Sequence, residues 1–148
     1  MSSAQHGSFT IERVLAFAPA RVYAAWATEE GKARWFSGSD GWTLLLREFD
    51  FRIGGRERAK GRRSNGEVTD FQAVYHDIVP ERRIVYSYGM HLDDRRISVS
   101  LATVEFHAES GGTRLRVTEQ GAFLDSYHDG GSRERGTQLL MDAMTASL

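Results

Sequence analysis

Cysteine is absent from the 148 residues. That excludes disulfides, thiol nucleophiles and thiolate metal sites. An excess of either charge is also lacking: 19 Lys and Arg stand against 20 Asp and Glu, a net charge of −1. No global field therefore draws the molecule toward nucleic acid or acidic lipid, and neither partner is expected. No apolar run approaches the ~18 residues of a membrane span, and the opening "MSSAQHGSFT" has no secretory apolar region. The expected location is the cytoplasm. His6, His76, His91, His107 and His128 show neither an HExxH motif nor paired ligand spacing, so no metal and no cofactor is expected. Internal repeats, low-complexity tracts and linkers are missing too.

What is present reads as one domain over residues 8–148 behind a loose tail, Met1 to Gly7. "FTIERVLAF" alternates as a strand, with Phe9, Ile11, Arg13 and Leu15 on one face. Pro19 suits the first turn of a helix, where its missing N–H costs nothing. Thr28 is placed to cap a second short helix, "EEGKARWF". From Trp42 to Phe123 strands alternate with turn signals such as "RSNG" and "SGG". Ser132 to Leu148 then changes period. Thr137, Leu140, Met141, Met144 and Leu148 form one helical stripe.

The predicted architecture is α+β: a curved antiparallel sheet of about six or seven strands, two short helices after the first strand, and a long C-terminal helix. A straight helix cannot touch a curved sheet everywhere. The gap between them is the expected origin of a cavity.

In this order and spacing, "RVLAFAPARVYAAWATEEGKARWF" (13–36), "DFRIGG" (50–55), "YHDIVPERRIVYSY" (75–88) and "TRLRVTEQGAFLD" (113–125) resemble the START-like, helix-grip superfamily, also called SRPBCC. Within it the chain is similar to the C-terminal domain family of the activator of the heat-shock chaperone ATPase. The resemblance implies the helix-grip fold, with a deep cavity between sheet and terminal helix. It does not imply one activity, since members include chaperone regulators, lipid or polyketide binders and a few cyclases.

Glu119 is the sharpest candidate. It shares a strand face with Leu115, Val117, Gly121 and Phe123, so burial should raise its pKa unless something pairs it. Arg13 interrupts the row Phe9, Ile11, Leu15 in the same way. We expect Arg13 and Glu119 to meet, either as a structural ion pair or as a polar anchor for a ligand head group. Tyr86, Tyr88 and Met90 share a face with Ile84, giving apolar walls with polar tips. Trp35, Phe36 and Trp42 flank "SGSDG", read either as a lid over the cavity mouth or as ordinary loop packing. Asp125, Tyr127, His128 and Asp129 form a polar rim before the last helix.

On the strand "RRISVSLATVEF", inward Val104 and Phe106 place Arg96, Ser98, Ser100 and Ala102 on the cavity side. Ile97, Val99 and Leu101 then form an outward apolar stripe that a homodimer partner could cover. A β-bulge near Ala102 is the competing arrangement. Leu140, Met141 and Met144 close the cavity from the helix. "RIGGRERAKGRR" holds six cations against Glu57; it is read as a solvated hairpin rather than a phosphate or acidic-partner patch, and no helix opens after Gly54 and Gly55 to make a phosphate loop.

Three functions follow. The first is binding of a small apolar or aromatic ligand, with Glu119, Tyr86, Tyr88 and Arg96 giving specificity. The second is a cyclase- or hydrolase-type enzyme with Glu119 as the base. The third is a regulator that acts on a protein partner through its surface.

Overall fold

A computed structural model describes residues 2–38 and 41–148. Its chain runs β1 (Ala4–Leu15), α1 (Pro19–Ala27), α2 (Glu29–Ala33), β2 (Thr43–Phe49), β3 (Arg56–Arg62), β4 (Val68–Val79), β5 (Arg83–Leu92), β6 (Arg95–Glu109), β7 (Gly112–Leu124) and α3 (Ser132–Ser147). The seven strands form one antiparallel sheet in the order β1-β7-β6-β5-β4-β3-β2. Consecutive strands are neighbours except for β1 and β2, which stand at opposite edges of the sheet; the two short helices connect them, and β7 closes beside β1. This is the α+β layout that the sequence pattern predicts, and the helix-grip fold that the resemblance implies.

The local reasons are the ones legible in the chain. Pro19 opens α1, whose Val22, Ala25 and Trp26 fall three and four apart and are buried. Thr28 begins α2, its hydroxyl accepting from the Gly31 amide at 3.1 Å. Gly66 at φ +92° closes the β3–β4 hairpin and Gly111 at φ +80° the β6–β7 hairpin. Val22, Ile84, Val104, Leu115, Val117, Met141 and Met144 form the centre of the core.

Two features of the chain differ from expectation. Ala4 to Gly7 is not a loose tail but the start of β1, paired with Leu124 to Gly121 of β7. These residues are exposed, so they carry no apolar alternation to signal a strand; β7 is simply long enough to pair with them. The second difference is a bulge near the start of β6. Met90 faces Ser98 and His91 faces Arg96, leaving Ile97 as the extra residue. Around Ala102 the register is unbroken, so the bulge lies nearer the strand's start than the alternative had it.

That shift decides which side chains face inward. Ile97 and Ser98 are both buried, and Arg96 is turned out to solvent. Arg96 is therefore removed from the cavity-side set. Val99 and Leu101 are exposed, as the register requires, but Ile97 does not join them.

Candidate functional site

A hollow of about 410 Å³ lies between the sheet and α3. Its walls come from every layer of the fold. Trp26 and Trp35 rise from the helical segment, Phe71 from β4, Tyr86, Tyr88 and Met90 from β5, Val117 and Glu119 from β7, and Thr137, Leu140 and Met141 from α3. Of the residues expected there, Trp35, Trp42, Tyr86, Tyr88, Met90, Glu119, Leu140 and Met141 are brought together. Met144 is fully buried in the core beside it rather than on its wall. Phe123 lines a smaller neighbouring hollow of about 210 Å³, together with Ser100 and Phe9. Ser39 and Asp40 of the expected lid loop lie outside the described residues.

The aromatic end is tightly constructed. Trp26 and Trp35 meet edge to face at 4.8 Å, as do Phe36 and Phe71. The Trp35 indole donates to the Ala25 carbonyl at 2.9 Å. Trp42 is held in a slot of two glycines, and a Cβ on Gly61 would stand 1.9 Å from its ring. The Trp42 indole donates to the Thr69 hydroxyl at 3.1 Å, which fixes the ring along the wall.

Beneath these rings lies a buried ion pair. Lys32 Nζ donates to Glu57 Oε1 at 2.9 Å, with the two side chains 2% and 1% exposed. The Tyr75 hydroxyl donates to the same oxygen. The ammonium also sits 4.5 Å from the Phe36 centroid and within 6 Å of Trp26, Trp35 and Tyr86. Burial and the Glu57 charge push the Tyr75 hydroxyl far above its ordinary range. The basic stretch thus splits by alternation: Glu57, Ala59 and Gly61 point inward while the cations of β3 point outward. Arg58 pairs with Asp70, and Arg63 with Glu67.

At the other end of the hollow the polar groups converge. The Tyr88 hydroxyl donates to Glu119 Oε1 at 2.6 Å. Arg133, from the first turn of α3, donates from Nη1 to the Tyr88 oxygen at 3.0 Å and to the Ser100 hydroxyl at 3.3 Å. Its Nη2 donates to the Ser98 hydroxyl at 2.7 Å. Burial raises the pKa of Glu119, and the Tyr88 hydrogen bond and the Arg133 charge only partly offset it. Burial, then the Glu119 charge, raises Tyr88 in turn.

Arg13 and Glu119 do not meet. Arg13 lies opposite Leu115, whereas Glu119 lies opposite Phe9. Four residues along a strand separate them, about 13 Å at ~3.3 Å per residue. Arg13 instead reaches Asp142 on α3 at 3.0 Å and the Gln138 carbonyl at 3.4 Å. The partner of Glu119 is Tyr88.

Sequence reasoning does not place Arg133 in the candidate site, where the structure puts it. Its signal was present: counting back four from Thr137 along the apolar stripe lands on Arg133, an arginine in line with a buried row. Lys32 was equally legible, three and four residues before Trp35 and Phe36. Asp129, one of the expected rim residues, lines both hollows and accepts from the Gly131 and Arg133 amides at the start of α3.

Comparison with known proteins agrees with this architecture. A protein from Rhizobium leguminosarum of solved structure is 44% identical, over 99% of this chain and 97% of its own, with a TM-score of 0.95. The Mll3558 protein from Rhizobium loti is 41% identical over 99% of both chains, with a TM-score of 0.91. An AHSA1-like protein from Aeromonas hydrophila, 22% identical over 95% of this chain and 91% of its own, shares the fold with a TM-score of 0.70. No curated protein matches the chain. Residues 16–148 match the model of the family described as activator of Hsp90 ATPase homolog 1-like protein, and the chain belongs to that family, within the START-like superfamily.

Proposed function

We propose that the protein binds a small, largely apolar aromatic molecule in the hollow between the sheet and α3. The carrying observation is the division of that hollow: an aromatic wall at one end, and the Tyr88–Glu119–Arg133 group at the other. An apolar wall supplies affinity through area removed from water, and a few fixed polar groups supply orientation. The surface alternative has less behind it. The basic stretch that would face a partner spends Arg58 and Arg63 on internal pairs, and its acid is buried beneath the cavity wall.

The sequence contains three tryptophans, Trp26, Trp35 and Trp42, and all three line the hollow. N-phenyl-1-naphthylamine, a neutral aromatic dye, accepts energy from tryptophan emission. Titrating the protein with this dye should give saturable energy transfer at one dye per chain. Transfer that rises without saturating would overturn the cavity reading.

A further inference from the structure

Arg133 is a cation set in a cavity wall whose guanidinium makes no ion pair with a carboxylate among the described residues. Its three hydrogen bonds go to neutral hydroxyls, those of Tyr88, Ser98 and Ser100. Its guanidinium carbon lies 5.4 Å from the ring centroids of both Tyr88 and Phe123. The two neighbouring acids do not reach its guanidinium directly: Glu119 Oε1 accepts from the Tyr88 hydroxyl that stands between them, and Asp129 accepts the backbone amides of Gly131 and Arg133. Among the described residues no acid stands within ion-pair distance of Arg133. A guanidinium has five N–H donors. Three bonds leave Nε–H and one Nη2–H without an acceptor among the described residues. A partly desolvated cation with donors to spare gains more from an anionic oxygen than from a neutral one.

We infer that the ligand of this cavity is an aromatic acid, a molecule carrying one anionic oxygen group, and that Arg133 is the counter-ion that selects it. The inference rests on the cavity reading and narrows it to a chemical class. Arg133 lines both the larger hollow and the smaller one. The acid group therefore lies at the junction of the two, with the aromatic body directed toward Trp35 and Phe71. The hydroxyls of Ser98, Ser100 and Tyr88 hold the guanidinium in place before the ligand arrives. That preorganisation lowers the cost of fixing a long side chain on binding.

The test compares N-phenyl-1-naphthylamine with 1-anilinonaphthalene-8-sulfonate, which has the same aromatic body and one added anionic group. On the wild-type protein the sulfonate should bind roughly tenfold tighter or more, the size of a charge-assisted hydrogen bond. In Arg133→Met the ratio of the two affinities should fall toward one, and Arg133→Lys should restore part of it. Equal affinities on the wild-type protein, or a ratio that survives Arg133→Met, would overturn the inference while saturable binding of the neutral dye leaves the cavity reading standing. If neither dye saturates, both readings fall. The wild-type comparison requires no variant, so a poorly folding substitution does not blunt it.

Discussion

At the scale of single residues, this protein is defined by charges placed inside. Glu119 is 6% exposed, and the titratable and charged groups acting on it are Tyr86 and Tyr88 from β5 and Arg133 from α3. Its pKa is raised above 4.5 in the folded chain, chiefly by burial. Between the unfolded and folded values the native state keeps a proton that the unfolded chain has released. Stability from this group is therefore full below the unfolded pKa and is lost as pH rises through the folded one. Glu119→Gln has no such proton to lose and keeps an acceptor for Tyr88. Urea unfolding of both proteins at several pH values should show the Gln variant gaining on the wild type as pH rises; a constant difference would contradict the buried acid. Lys32 and Glu57 make the opposite case, a charge compensated by its neighbour. Lys32→Met strands Glu57 in the core and should cost about 3–5 kcal/mol, read as a lower urea midpoint. Adding Glu57→Gln removes the orphan charge while sparing an acceptor for Tyr75, and should recover most of the loss.

Elements explain why these side chains arrive where they do. The short helix α2 depends on Thr28, whose hydroxyl serves the Gly31 amide and the Ala24 carbonyl. Thr28→Ala should cost about 1 kcal/mol in thermal or urea unfolding. In β3, Gly61 leaves room for the Trp42 ring. Gly61→Ala should push that ring off the cavity wall, at about 1–3 kcal/mol in stability and with tryptophan emission shifted to longer wavelength. Much of this scale was written in the chain: the inward rows of β1 and β7, Pro19, the Thr28 cap and the stripe of α3 all follow from period and turn chemistry. Period-2 counting turns Arg96 inward because it assumes an uninterrupted ladder. The Ile97 bulge lies where no glycine or proline announces it. Strand pairing between residues far apart in the chain sets the Arg13–Leu115 register, and alternation says which face a residue takes but not which rung it occupies. The pairing of Arg13 with Glu119 failed on that second quantity.

Across the whole molecule, an open seven-stranded sheet meets α3 through Thr137, Met141 and Met144, while Leu139 on the same helix is 68% exposed. Polar contacts anchor the helix along its length: Asp129 at its start, Arg133 against β5 and β6, Arg13 of β1 on Gln138 and Asp142, and Arg21 of α1 on the Leu148 carbonyl at its end. Between those points it stands off the sheet, and that separation is what family membership and fold alone do not quantify. Two apolar regions then compete for a hydrophobic molecule: the hollow under α3, and the outer face of β6 with Val99 and Leu101 at 44% and 40% exposure. Intermolecular nuclear Overhauser contacts to methyl-labelled protein saturated with N-phenyl-1-naphthylamine separate them directly. Contacts to the methyl groups of Met90, Ile97 and Met141 are the predicted result, and contacts confined to Val99 and Leu101 would contradict it.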